Sequence, residues 1–202
     1  MVDNKIYISF DVEASGPIPG DYSMLSFGAC VVGNEDVHFY RELRPINNNF
    51  AERALEITKF DMEVQKEKGA DPQVALMEFA QWANRVSEGK KIVLLSYGTF
   101  DYMYLKWYLE HYKIENNFGV NWMDMKSYIH GYARAAFGEY GKNEMKKDAR
   151  VLDKHTHNAL GDAIEQSRMF NSLIKLDELL GKDARFGNLI RKDDSKQKTK
   201  IS

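Results

Sequence analysis

A single cysteine, Cys30, in 202 residues excludes an internal disulfide and argues for a reducing compartment. Its thiol reads as a small core hydrophobe within the apolar segment 25–32. Long apolar runs are also missing. No stretch reaches the roughly 18 residues of a membrane-spanning helix, and Met1-Val2-Asp3-Asn4-Lys5 lacks the basic start and apolar segment of a signal peptide. A cytoplasmic protein with no membrane partner is expected. Neither sign of charge dominates: at a net −2 the chain is not one that coats nucleic acid electrostatically. Internal repeats are absent, and 202 residues suffice for one domain with a full core. We expect that domain over 1–181 and a polar, frayed tail over 182–202.

What the chain does hold begins with Asp11 and Glu13, inside the apolar run Ile6-Tyr7-Ile8-Ser9-Phe10-Asp11-Val12-Glu13. Strand side chains alternate faces, so Ile6, Ile8, Phe10 and Val12 point one way while the two acids share the other, with Cα atoms roughly 6–7 Å apart. Each ionised carboxylate disfavours the other unless a cation sits between them. A hard metal ion with oxygen ligands answers that need; alone, a solvated strand end paired with Lys or Arg would answer it as well. Two further patches tip the balance. Asp101 stands between the apolar strand 91–96 and an aromatic helix over 102–112. His157 and Asp162 bracket the first turn of a helix over 158–176, with Asn158 or Thr156 as its N-cap. Five helical positions separate side chains by about 140°, so both face one site only if His157 lies on the loop ahead of the helix, which would leave it mobile.

Periodicity sets the rest. Strands at 5–12, 25–32 and 37–43 form an antiparallel meander with a turn at 33–36. Helices follow at 51–58 and 72–87, the second with Pro72 at its start. Strand 91–96, helix 102–112, a short strand near 120–123 and a helix over 125–137 then alternate. This order predicts an α/β chain with a mixed sheet flanked by helices.

The pattern Phe10-Asp11-x-Glu13-x-Ser15-Gly16, then Phe100-Asp101 after a hydrophobic strand, then His157-x-x-x-x-Asp162-Ala163 resembles the DEDDh branch of the 3′→5′ exonuclease superfamily. Ribonuclease T, oligoribonuclease and the proofreading subunit of bacterial replicative DNA polymerase belong to it. The likeness runs from about 5 to 180: Leu25-Ser26-Phe27-Gly28-Ala29 looks like the family's second strand, and Ala54-Leu55-Glu56-Ile57-Thr58 like the helix after its third. Two departures concern substrate detail. Ser96-Tyr97-Gly98-Thr99 lacks an Asn common before the third acid, and Ala14-Ser15 replaces two common Thr/Ser residues.

The resemblance implies a ribonuclease H-like fold and hydrolysis of single-stranded RNA or DNA from its 3′ end to nucleoside 5′-monophosphates, with two Mg²⁺ ions for which Mn²⁺ substitutes. In such sites two divalent ions about 3.5–4 Å apart activate the water and stabilise the leaving oxygen. By resemblance Asp11, Glu13 and Asp162 hold one ion, Asp11 and Asp101 hold the other, and His157 is the general base, a role suited to imidazole. The backbone of Ala14, Ser15 and Gly16 is implied near the terminal 3′ hydroxyl, with Met24 or Leu25 as an apolar wedge against its base. Phe100 and Tyr104 are candidates for base stacking, although core packing is the usual fate of an aromatic in such a helix. The basic residues Lys142, Lys146, Lys147, Arg150 and Lys154 read first as a solvated loop and second as a phosphate grip. A homodimer is compatible with the chain but not argued by it. The competing reading is a catalytically silent nucleic-acid-binding or interaction module of the same fold, which need not keep all five catalytic groups.

Overall fold

The computed structural model describes residues 4–118, 122–133, 142–148 and 157–180. Five strands, β1 (Lys5–Ala14), β2 (Met24–Val31), β3 (Asn34–Glu42), β4 (Lys91–Ser96) and β5 (Trp122–Asp124), form one sheet in the order β3-β2-β1-β4-β5. The first three run antiparallel as a meander, whereas β4 pairs parallel with β1 and β5 parallel with β4. This is the mixed sheet the sequence predicts.

Alternation along β1 builds two cores. Ile8, Phe10, Val12 and Ala14 face α3 (Pro72–Ser87) and α4 (Phe100–His111), where Leu76, Phe79, Trp82, Leu105 and Tyr108 are buried with them. Phe10, Phe27, Phe39, Phe79 and Trp82 form a continuous aromatic cluster with centroids 5.4–5.9 Å apart. The first turn of α3 is fixed by Asp71, whose carboxylate accepts from the Gln73 and Val74 amides, and by Pro72 at its start. On the opposite face Tyr7 and Leu95 pack with Met125 and Ile129 of α5 (Met125–Ala133) and with Met169, Phe170 and Leu173 of α7 (Ala159–Leu180). Cys30 lies under α7, its thiol donating to the Ala163 carbonyl at 3.6 Å, and burial pushes it up to about 12. It is a core thiol, as its neighbours in sequence suggest.

Several elements differ from expectation. The β2–β3 turn is Val32-Gly33 rather than 33–36, because Gly33 at φ 81° permits a tight hairpin and Val31 already pairs with Asn34. Helix α1 (Glu52–Thr58) is found where expected, but the following α2 (Met62–Lys68) is new. Asp61, accepting from the Glu63 and Val64 amides, nucleates it. The expected solvated loop at the basic stretch is corrected for its first part: residues 142–148 form α6 (Lys142–Asp148), and Lys142 and Lys146 pair with Glu165, whereas Arg150 and Lys154 lie outside the described residues. The tail from 182, the helix residues 134–137 and Thr156 lie outside the described residues.

Candidate active site

The site arises because β1 is longer than its parallel neighbour. Pairing with β4 ends at Ser9–Leu95, while pairing with β2 continues through Glu13–Ser26 to Ala14–Met24. Beyond Ser9, therefore, β1 has no strand on its β4 side. A buried amide there needs another partner. Val12 finds it in Asp101, whose Oδ1 accepts at 3.0 Å from the second position of α4. One buried hydrogen bond thus brings the third acid to the end of the strand that carries the first two.

The remaining groups come from α7. Asn158 caps it, its Oδ1 accepting from the Gly161 amide at 3.0 Å. His157, just ahead, takes φ 51°, a left-handed backbone that L side chains rarely adopt. That turn removes the 140° problem: ligand atoms of Glu13, His157 and Asp162 lie within 4.8 Å of one another. Close approach of α7 requires Gly28, the residue paired with Asp11, since a Cβ there would stand 2.4 Å from the Leu160 backbone nitrogen.

Asp11, Glu13, Asp101, His157 and Asp162 line one cleft of about 300 Å³, together with Val12, Tyr97, Phe100, Lys142 and Gln166. Asp162 is 1% exposed, Asp101 6% and Glu13 8%. Burial, then the charges of Asp101, Asp162 and Glu13, raises the Asp11 carboxyl well above the usual range. Burial and the charges of Asp162 and Asp101 push Glu13 up to about 7. Asp101 also rises to about 7, chiefly through burial, with the Val12 amide pulling it back. Three buried carboxylates and the half-buried Asp11, whose ionised forms repel one another, with His157 beside two of them, fit a hard divalent cation with oxygen ligands.

Not every anticipated side chain reaches this cleft. Met24 and Leu25 are fully buried; Met24 packs in the α3-side core, and neither forms an exposed wedge. Tyr104 is fully buried as well and donates its hydroxyl to the Gly16 carbonyl at 2.7 Å, so it braces that segment instead of offering a stacking face. Ser15 spends its amide on the Ser23 carbonyl, its carbonyl on the Ala51 amide and its hydroxyl on the Asn49 carbonyl. Ala14 continues the β1–β2 pairing. Gly16 must be glycine, since a Cβ would sit 2.1 Å from the Tyr22 ring. Among the aromatics proposed to stack, Phe100 remains at the cleft, 39% exposed and propped on Tyr104 at 4.9 Å between centroids.

Val12, Tyr97, Lys142 and Gln166 line the cleft without having been anticipated as site residues, and two of them bear on the acids. Gln166 donates from Nε2 to Asp11 Oδ1 at 2.7 Å. It lies four residues after Asp162 on α7, so the i, i+4 rule was the signal that could have found it. Lys142 belongs to a basic stretch that reads as a solvated loop or a phosphate grip, with nothing local to bring it to Asp11.

The sheet order, with acids on the end of its first strand and on two helices, defines a ribonuclease H-like fold. No family model matches the chain. It is 36% identical over 178 residues to the 3′-5′ DNA exonuclease Cap18 of Escherichia coli, covering 87% of this chain and 95% of that protein. Its fold matches S. pombe Pop2p in a Mg²⁺- and Mn²⁺-bound form at TM-score 0.55 and 14% identity, covering 90% and 84% of the two chains. It also matches the zinc-bound complex of E. coli exonuclease I with single-stranded DNA at TM-score 0.63 and 16% identity, over 86% of this chain and 41% of that one. The chain belongs to the 3′–5′ exonuclease family and is a 3′–5′ exonuclease. No described helix is long and apolar enough to cross a membrane.

Proposed function

We propose that this exonuclease is metal-dependent and removes nucleoside 5′-monophosphates one at a time from the 3′ end of single-stranded nucleic acid, DNA before RNA. The observation that carries this reading is the convergence of four carboxylates and one imidazole, from β1, α4, α7 and the residue preceding the α7 cap, on one cleft. Asp11, Glu13, Asp101 and Asp162 would hold Mg²⁺ or Mn²⁺. When bound, such ions lower the pKa of water and stabilise a leaving alkoxide. His157 takes the water's proton on a ring nitrogen, at the mouth of the cleft where its exposure suits proton exchange with solvent. Gln166 holds Asp11 in one orientation. Phe100 offers a face to the terminal base, an interaction worth about 1–3 kcal/mol. The 36% identity with a DNA exonuclease supports DNA as substrate, and the buried thiol of Cys30 suits a reducing cytoplasm.

A cleft of about 300 Å³ is the size of a small-ligand site, in keeping with a single terminal nucleotide. A blunt duplex must first unpair, at a few kcal/mol. Incubated with Mg²⁺, a 5′-labelled single strand should give a ladder descending one nucleotide at a time, faster for DNA than for RNA and slow for a blunt duplex. An internal cut, or immediate release of the label as mononucleotide, would rule the reading out.

His157 stands close enough to Glu13 and Asp162 to be a ligand instead of a base, and the two roles separate in one variant. As a base it contributes about 10²–10⁴-fold to rate. His157→Ala should lose turnover by that factor while Mg²⁺ still raises the melting temperature as in the parent. Loss of the Mg²⁺-dependent shift together with activity would reassign it to the ligand set.

A further inference from the structure

Helix α6 lies against α7 through one carboxylate. Glu165, whose side chain is 2% exposed, pairs with Lys142 at 2.6 Å and with Lys146. Burial alone would raise this carboxyl, yet the hydrogen bonds from the two lysines outweigh it and hold it below its usual range. One acid with two cations leaves a unit of positive charge in excess, and the geometry directs that charge. Lys142 also lines the catalytic cleft beside Asp11 and Asp101, its Nζ 5.5 Å from the centroid of the Tyr97 ring. A flexible four-carbon stem is thereby held between a carboxylate, an aromatic face and the acid cluster.

A charge count says what it does there. Four carboxylates and two divalent ions sum to zero. A phosphodiester brings one negative charge, and attack by a deprotonated water gathers a second on the non-bridging oxygens. Besides His157, the basic side chain lining the cleft among the described residues is Lys142. We propose that Lys142 is a further catalytic residue, its ammonium touching a non-bridging oxygen of the scissile phosphate, and that Glu165 is the positioning residue that aims it. An ammonium has three donors, enough to serve Glu165 and a phosphate oxygen together. The bond from phosphorus to the 3′ oxygen breaks as the bond to the water oxygen forms, the water's proton goes to His157, the 3′ oxygen leaves on the shortened strand and takes a proton from solvent, and Lys142 keeps its own protons throughout. The inference rests on the exonuclease reading above.

The test compares the full-length parent with Lys142→Gln and Lys142→Cys on a 3′-ended single strand. Removing one preorganised donor to a developing oxyanion costs about 10²–10³-fold. For a lysine 23% exposed we expect kcat to fall about 10–10²-fold, with KM changed less than about threefold and the Mg²⁺-dependent rise in melting temperature kept. Cys30 is fully buried, so 2-bromoethylamine should alkylate Lys142→Cys at position 142, rebuild an ammonium there and restore most of kcat. Unchanged kcat in Lys142→Gln, loss of the Mg²⁺ shift, or no recovery on alkylation would each overturn the role of Lys142 while leaving the exonuclease standing. A parent inactive on DNA and RNA alike would instead sink the exonuclease reading, and this proposal with it.

Discussion

Asp11→Asn should abolish hydrolysis and at the same time make the metal-free protein more stable. Asn keeps an Oδ1 to accept from Gln166, so the local hydrogen bond survives. What disappears is a half-buried charge set against those of Asp101, Asp162 and Glu13. The pH dependence carries the sign. Glu13 and Asp101 rise to about 7 in the folded chain from ordinary values near 4, so the fold binds more protons than the unfolded chain between those limits. Their favourable contribution is fully present below pH about 4 and is lost as pH climbs through about 7. Thermal melts in chelator should therefore show the parent losing stability over that range. Asp11→Asn should decline less and melt about 3–6 °C higher near pH 8. Mg²⁺ should flatten the parent's curve, because it binds the ionised acids. Retained activity in the variant, or full parental activity in excess chelator, would show that the cluster serves structure alone.

Gly28→Ala should be the most damaging substitution that touches no catalytic atom. Its Cβ would meet the Leu160 nitrogen at 2.4 Å and the Leu160 Cα at 2.5 Å, both backbone atoms that cannot rotate away. The start of α7 must lift. Overpacking of this kind destabilises by about 1–3 kcal/mol, and a displacement near 1 Å at a catalytic constellation costs about 10²-fold in rate. We expect both, with a melting temperature lowered by several degrees. Gly131→Ala is the control: it sits in α5 with nothing within 4 Å of a new Cβ, so it should keep activity and stability. Wild-type turnover in Gly28→Ala would mean that the position of Asp162 is not set by this contact.

The two substitutions mark how far the site was legible. Asp11 and Glu13 announced themselves because strand alternation is a local rule, and the apolar partners on the other face carry it. Asp101 and Asp162 gained meaning from order along the chain and from resemblance. The Val12–Asp101 hydrogen bond that seats the third acid joins residues 89 positions apart, and no local pattern encodes it. Gly28 looked like one residue of a buried strand; its role depends on a helix more than a hundred residues later. Lys142 is a similar case, since a basic run gives no sign that one of its lysines meets an acid on another helix. Met24, Leu25 and Tyr104 erred the other way. Apolar and aromatic side chains near a site are drawn into the core by the same burial that shapes the cleft.

Helix α7, which covers the acids of β1 and contributes Asp162 and Gln166, is the last described element of the chain. During synthesis the sheet and the first three acids leave the ribosome well before it does. The proposed ion-holding set is complete only once residue 162 has emerged and docked, so a product truncated before α7 should show no nuclease activity.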